Sequence, residues 1–368
     1  MIKYKNIILI GTMAVMLFGL STWAWIKEND EYSNSERRVL ATLPELSFTT
    51  IFDGKFMDEF ENYAADQFPK REDFRTLKSF ATFNLFAQKD ADGLFMELGH
   101  IGKADSVDIN TEILDFNIDK FNHIYDLYLK ESDAKVYFSV VPDKNHYISQ
   151  EKTVLSYKHE DLVDYMKDKL SYMEFIDITN ELTLNDYYRT DTHWKQEKLK
   201  PVAKKLAESM GIKLFAEYTE SVLEKPFYGV YVGQLALPVD ADRITYLNSP
   251  IFKNCVVTNY ESGMPTESFL YDFEKGNGKD PYELFLSGTT PLITIENPKA
   301  TNEKELIVFR DSFASSLMPL FAEAYTKITL VDIRYISSDM LGFFIDVTDQ
   351  DVLFLYSSTL LNSGTNFK

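Results

Sequence analysis

The apolar positions follow three different patterns along the chain. From Ile7 to Ile26 they are nearly continuous, and no charged residue interrupts them. A helix rising about 1.5 Å per residue crosses a bilayer core of about 30 Å with that many residues. From Phe52 to Gln88 apolar residues recur at steps of three and four: Phe56, Phe60, Tyr63 and Ala64, then, past Pro69, Phe74, Leu77, Phe80, Ala81 and Leu85. This spacing predicts helices packed by one face onto a body. Beyond residue 110, short apolar runs alternate with helical spacings. Lys135–Val141, Glu174–Ile178, Leu306–Phe309, Lys327–Ile333 and Asp351–Tyr356 read as strands buried on both faces. Helices are predicted over 111–131, around Leu162–Leu170, over 196–210 with a break at Pro201, and over 312–325 with a bend at Pro319. Residues 90–103 carry glycines and predict a turn or short hairpin. Over 212–300 the helical period is lost and Tyr, Gly and Pro accumulate, which predicts a β-rich insertion with long loops.

This alternation predicts an α/β domain with an open, mostly parallel five-stranded sheet between two helical layers. The expected division is an anchor over 1–27, a polar linker and helical approach segment over 28–110, and a catalytic domain over 111–368 that carries the insertion. Sites in such sheets lie beyond the carboxyl ends of the strands. That crest should hold Asp143 to Asn145, the loop with Asp191 and His193, and Ser312.

Composition removes several function classes. The 368 residues are 45% hydrophobic, enough for a full core. A formal net charge of −19, with no basic run to offset it, repels nucleic-acid phosphates, so no nucleic-acid partner is expected. Cys255 is the single cysteine, which leaves no intrachain disulfide and no thiolate cluster. No two of His100, His123, His146, His159 and His193 have the i, i+4 spacing of a helical zinc site. No metal and no cofactor are expected. Lys3 and Lys5 precede the apolar run, Trp23 and Trp25 close it, and Glu28, Asp30 and Glu31 follow. This order predicts an uncleaved single-pass anchor with the body outside the cytoplasm. The alternative is a cleaved signal peptide and a secreted body.

Two stretches could carry chemistry. In Tyr188-Arg189-Thr190-Asp191-Thr192-His193-Trp194, an extended backbone would point Asp191 and His193 the same way. The carboxylate could then hold the Nδ1 proton of His193 and leave Nε2 as a base. Equally, Asp191 could cap the following helix and His193 lie on the surface. In Phe309-Arg310-Asp311-Ser312-Phe313, Ser312 follows a strand directly and opens a helix. It is a candidate nucleophile or an ordinary N-cap. Asp311 is less suited as the acid, because adjacent side chains diverge. Ser315 and Ser316 are weaker nucleophile candidates. Lys144 and Asn145 are candidate oxyanion donors. Tyr356 either reaches the crest or packs in the core. Trp194 either lines a sugar-binding groove or anchors a helix in the core. Tyr228, Tyr231 and Tyr246 offer further stacking platforms, or pack the insertion.

Asp191-Thr192-His193-Trp194 resembles the signature of the DHHW family and the T-D-T-H-W segment of alginate O-acetylation proteins of AlgJ/AlgX type. Ser35–Leu40 with Pro44, Gly54-Lys55-Phe56, Asp66–Arg71, Val141–Lys144, Arg310–Ala314 and Val331–Tyr335 resemble further blocks of that family. The resemblance covers most of the chain. It implies an SGNH-hydrolase-like fold and a triad of Ser312, His193 and Asp191. It also implies acetyl transfer to a cell-surface polysaccharide, often beside a membrane-bound O-acyltransferase that supplies the acetyl group. Thr192 stands where the DHHW signature has a histidine. Arg310 stands where SGNH enzymes have a glycine, and brings a charge near the turn. The acid and base precede the serine, a permuted order that one geometry still accommodates. The alternatives are an esterase that removes acetyl groups and a non-catalytic glycan-binding or scaffold component.

Overall fold

A computed structural model describes residues 2–368, which fall into two compact units. One is the chain through Asp92 with Val232–Val239; the other is Gly93–Tyr231 with Asp240–Lys368.

The first unit opens with a helix, Tyr4–Ile26, long and apolar enough to cross a membrane and with no buried residue. Its other helices include Lys55–Asp66 and Arg71–Phe80. They are joined to the segment after the long helix by polar contacts. The Asp66 carboxylate accepts both Arg38 guanidinium nitrogens at 2.5 and 2.8 Å, and the Ala41 amide at 2.9 Å. Gln67 binds the backbone of Asp30 and Ala41. The helical spacing seen in the sequence is present over Arg71–Phe80. Phe74, Leu77 and Phe80 point outward, while Ser79 is buried and donates to the Leu235 carbonyl.

The second unit is built on an eight-stranded mixed sheet. Its strands in chain order are β1 (Lys135–Val141), β2 (Glu174–Phe175), β3 (Val256–Asn259), β4 (Thr266–Ser268), β5 (Leu292–Glu296), β6 (Glu305–Arg310), β7 (Lys327–Val331) and β8 (Asp351–Ser357). Their spatial order is β4-β3-β5-β7-β6-β8-β1-β2. β7, β6, β8, β1 and β2 run parallel. β5, β3 and β4 extend them antiparallel. The sheet is therefore larger than the expected five strands. The residues read as an insertion supply the three extra strands, as well as a separate hairpin, Thr219–Phe227 with Asp242–Asn248.

Why the parallel strands read as unbroken apolar runs is clear from their two faces. Leu306 and Val308 join one core with Leu353, Leu355 and the helix Lys200–Ser209. Ile307 and Phe309 join the other with Val352, Phe354 and the helices Thr111–Ile124 and His159–Lys169. Alternate residues thus meet opposite helical layers, and both sets must be apolar. Pro201 lies in the first turn of its helix, where its missing N–H costs nothing, and a separate short turn, Gln196–Lys198, precedes it.

Candidate active site

Ser312 leaves the carboxyl end of β6 and begins a five-residue helix, Phe313–Leu317. Asp311 builds this turn. One of its carboxylate oxygens accepts the Phe313 amide at 3.0 Å, and the other accepts the Ser357 amide, at the end of β8, at 2.8 Å. The Asp311 carboxylate is thereby committed to backbone. The Ser312 hydroxyl makes no capping bond to its own helix. It lies 2.7 Å from His193 Nε2.

The loop with His193 is a tight turn, not the extended segment expected. Tyr187 and Trp194 pair across its base, and the Tyr188 amide donates to the His193 carbonyl. Asp191 Oδ1 accepts the His193 amide at 3.1 Å and lies 2.6 Å from His193 Nδ1. An Asp that folds its own loop in this way brings its carboxylate onto a residue two places on. Asp191 Oδ2 accepts the Val230 amide at 2.9 Å. Burial works to raise the Asp191 pKa. The facing His193, by charge and by hydrogen bond, together with the amides of Val230 and His193, holds it below the usual carboxylate range. Asp191, His193 and Ser312 thus form one hydrogen-bonded series.

Three groups distant in sequence shape this loop. Lys144, fully buried, reaches the carbonyls of Tyr188 at 3.2 Å, Arg189 at 3.4 Å and Asp191 at 2.7 Å. Burial pushes its pKa down to about 8, against the carboxylates of Asp143, Asp191 and Asp242. Asp242 accepts the amide and hydroxyl of Thr190 at 2.8 and 2.6 Å. Gly229 lies so close that a Cβ there would overlap the Thr190 carbonyl and the Asp191 side chain. A fourth residue, Tyr282, stacks on the His193 ring with centroids 3.9 Å apart and planes 16° apart. Its hydroxyl meets Ser316 Oγ at 2.9 Å.

The other residues singled out in the sequence have different places. Lys144 is a clamp on loop carbonyls, so its ammonium hydrogens are not offered to an oxyanion. Asn145 is also turned away: its side-chain nitrogen donates to the Lys103 carbonyl. Arg310 is fully buried and binds Ser315 Oγ, Thr290 Oγ1 and carbonyls of Thr290 and Asp311. Burial lowers its pKa, against the charges of Asp332 and Asp311. Trp194 has no exposed surface on which a sugar could stack, and its indole N–H donates to the Phe313 carbonyl and Ser316 Oγ. It fastens the Asp191–His193 loop to the helix that follows Ser312. Tyr356 is core: its ring stacks on Phe121, with centroids 5.2 Å apart. Ser315 and Ser316 are occupied by Arg310, and by Trp194 and Tyr282, respectively. Tyr231 is buried and faces the Lys144 ammonium, whereas Tyr228 is half exposed.

Among solved structures, a DHHW family protein from Eubacterium siraeum aligns over 75% of this chain and 94% of its own, with 20% identity and a TM-score of 0.60. The two proteins share a fold. PatB1 from Bacillus cereus aligns over 75% of this chain and 99% of its own, with 20% identity and a TM-score of 0.62. A second PatB1 structure, with a sulfonyl adduct, aligns at 19% identity, over 76% and 99% of the two chains, with a TM-score of 0.61. At such identities the likeness is one of fold. No family model matches the sequence, and no curated protein sequence does.

Proposed function

We propose that this chain is an extracytoplasmic O-acetyltransferase of a cell-surface polysaccharide, acting through an acetyl-serine at Ser312. The observation that carries the reading is the 2.7 Å approach of Ser312 Oγ to His193 Nε2, with Asp191 at 2.6 Å from the opposite ring nitrogen. The apolar helix Tyr4–Ile26 supports a membrane anchor. The shared fold with the DHHW family protein supports the family resemblance of the motifs. That resemblance also points to a membrane-bound O-acyltransferase as the source of the acetyl group.

In this mechanism Asp191 keeps the Nδ1 proton of His193 and so leaves Nε2 as the base. Nε2 takes the Ser312 proton while Oγ attacks the carbonyl carbon of the acetyl donor. In this mechanism the charge on the carbonyl oxygen is met by backbone N–H groups at the Ser312 turn. The intermediate collapses as His193 returns the proton to the leaving group, and acetyl-Ser312 remains. A sugar hydroxyl then gives its proton to Nε2 and attacks the acetyl carbon, which frees Ser312. Tyr282, stacked on the imidazole, restricts its rotation between the two half-reactions.

The test uses the full chain with a chromogenic acetyl ester and an oligosaccharide acceptor. An acetylated sugar, formed by the wild type and not by Ser312→Ala, supports transfer. Free acetate alone makes the chain an esterase, and equal turnover in Ser312→Ala removes both enzymatic readings.

A further inference from the structure

The helix Arg71–Phe80 continues through Ala81–Leu85. Within the Arg71–Phe80 part of this rod, Phe74 and Leu77 share one face, since successive residues of an α-helix turn by about 100°, and Leu85, in the wider-wound turn that follows, is exposed as well. The rod is amphipathic in the reverse of the usual sense for a packed helix. Leu77 is 59% exposed and Leu85 72%, and Phe80 beside them is 55% exposed. The inward side carries Ser79 and the half-buried Arg75. Phe48 and Phe52, on the short helix Phe48–Phe52 of the same unit, are exposed above 80%. Water is a poor surrounding for this much aromatic and aliphatic surface, and monomeric proteins seldom expose so much of it together.

What covers the face is indicated by where it begins. The helix Lys55–Asp66 ends against the chain that leaves the long apolar helix. Tyr63 donates to Asn29 Oδ1 at 3.1 Å, and the Gln67 side chain bonds Asp30 through both its amide and its carbonyl at 2.9 Å. Asn29 and Asp30 follow Ile26, the last residue of that helix, by three and four positions. Arg71 follows Gln67 by four. The outward apolar rod therefore starts within a few residues of the point where the chain leaves a membrane-spanning helix. Glu72 and Asp73 flank it, and Lys70 lies near Asp73 while Lys78 pairs with Asp92, so charge gives no pull toward an acidic leaflet. Apolar burial would have to hold it there.

We propose that the face formed by Phe74, Leu77, Phe80 and Leu85 lies in the interfacial layer of the membrane that Tyr4–Ile26 crosses. The occupant is the lipid surface itself, not a second copy or another protein. The inference rests on the reading of Tyr4–Ile26 as an uncleaved anchor. It predicts contact that is indifferent to lipid charge.

The test uses the full chain in phosphatidylcholine vesicles, in a Cys255→Ala background, with an environment-sensitive dye at Leu77→Cys or Leu85→Cys. Glu61→Cys is the water-facing control and Phe18→Cys the membrane-span control. Lipids with a quencher near the headgroup should quench the dyes at 77 and 85 at least about twofold more than the dye at 61. The same result is expected when a quarter of the lipid is phosphatidylglycerol. Quenching at 18 with none at 77 and 85 overturns the proposal while leaving the anchor intact. No quenching at 18, or loss of the label by cleavage, overturns both. A dye at 77 and 85 that is shielded from water but not quenched by lipid means that protein covers the face, and also overturns it.

Discussion

Ser312 and the Asp191–His193 pair are held in place by opposite means. Ser312 sits on a turn whose supports are close in sequence or in the sheet: Asp311 beside it, β6 before it, and the end of β8 next to it. Asp191 and His193 sit on a loop whose shape depends on Lys144, Asp242 and Gly229, some forty to fifty positions away. Trp194 fastens the one to the other through Phe313 and Ser316. The place of Ser312 follows from the sheet, so it should tolerate little change without loss of the fold. The Asp191–His193 loop is an assembly of long-range hydrogen bonds, so it can be loosened while the sheet stays intact.

The sharpest way to break this contrast is Asp311→Ala. Two buried amides, of Phe313 and Ser357, lose their acceptor at once, at about 1–3 kcal/mol each. Melting temperature and acyl-transfer rate should fall together. If the rate falls alone, the turn is not a structural joint of the sheet.

Lys144→Met should separate the two properties. Three loop carbonyls lose their donor, and a displacement of about 1 Å at His193 can cost about 100-fold in rate. Melting temperature should fall by less than for Asp311→Ala, because the lost hydrogen bonds are partly offset by no longer desolvating an ammonium. The wild type gives this a pH signature. With its pKa pushed down to about 8, from an ordinary value of about 10.4, the buried amine loses a proton as pH rises through about 8. It then has two N–H groups for three carbonyls, so the rate should fall on that limb. Stability moves the other way. Between about 8 and 10.4 the unfolded chain binds the extra proton and the folded chain does not, so unfolding becomes harder as pH rises. A rate–pH profile and thermal melts, each compared with Lys144→Met, check both signs.

The smallest effect is expected for Trp194→Phe. The N–H donated to Phe313 and Ser316 is lost, at a cost of about 1 kcal/mol, and so is the second ring of a fully buried side chain, at about 1–2 kcal/mol more. A few-fold lower rate with a melting temperature lower by a few degrees would fit a fastening role.

The same contrast explains what was legible in the sequence. Four of the five parallel strands could be read because each must satisfy two cores, as Leu306 and Ile307 do on opposite faces, and so shows a nearly unbroken apolar run, whereas β2 is a two-residue edge strand. Ser312 could be read because it follows such a run directly. The pair Asp191 and His193 was visible as residue types, but their meeting depends on a turn, not on extended backbone. β3 and β4 were harder to see, being short, partly polar strands with one neighbour each side or an edge, as Thr266–Ser268 shows. Tyr282 and Asp242 left no trace, since stacking on a ring or binding a distant threonine imposes no period on the sequence. Lys144 was read as an oxyanion donor at a strand end, and its ammonium lies against three loop carbonyls. A buried lysine at a strand end can serve a loop's carbonyls as readily as a substrate's oxygen. Outward-facing Phe74 and Leu77 show the converse, a helical period that does not say which surroundings it meets.

The central claim is that His193, oriented by Asp191, activates Ser312. The most direct measurement is the intact mass and peptide map of the full chain after exposure to a small sulfonyl fluoride. One adduct on Ser312 is expected in the wild type, none in Ser312→Ala, and formation slowed by about 1,000-fold or more in His193→Ala. An adduct on Ser315 or Ser316 instead, or equal labelling of Ser312 with and without His193, would contradict the account.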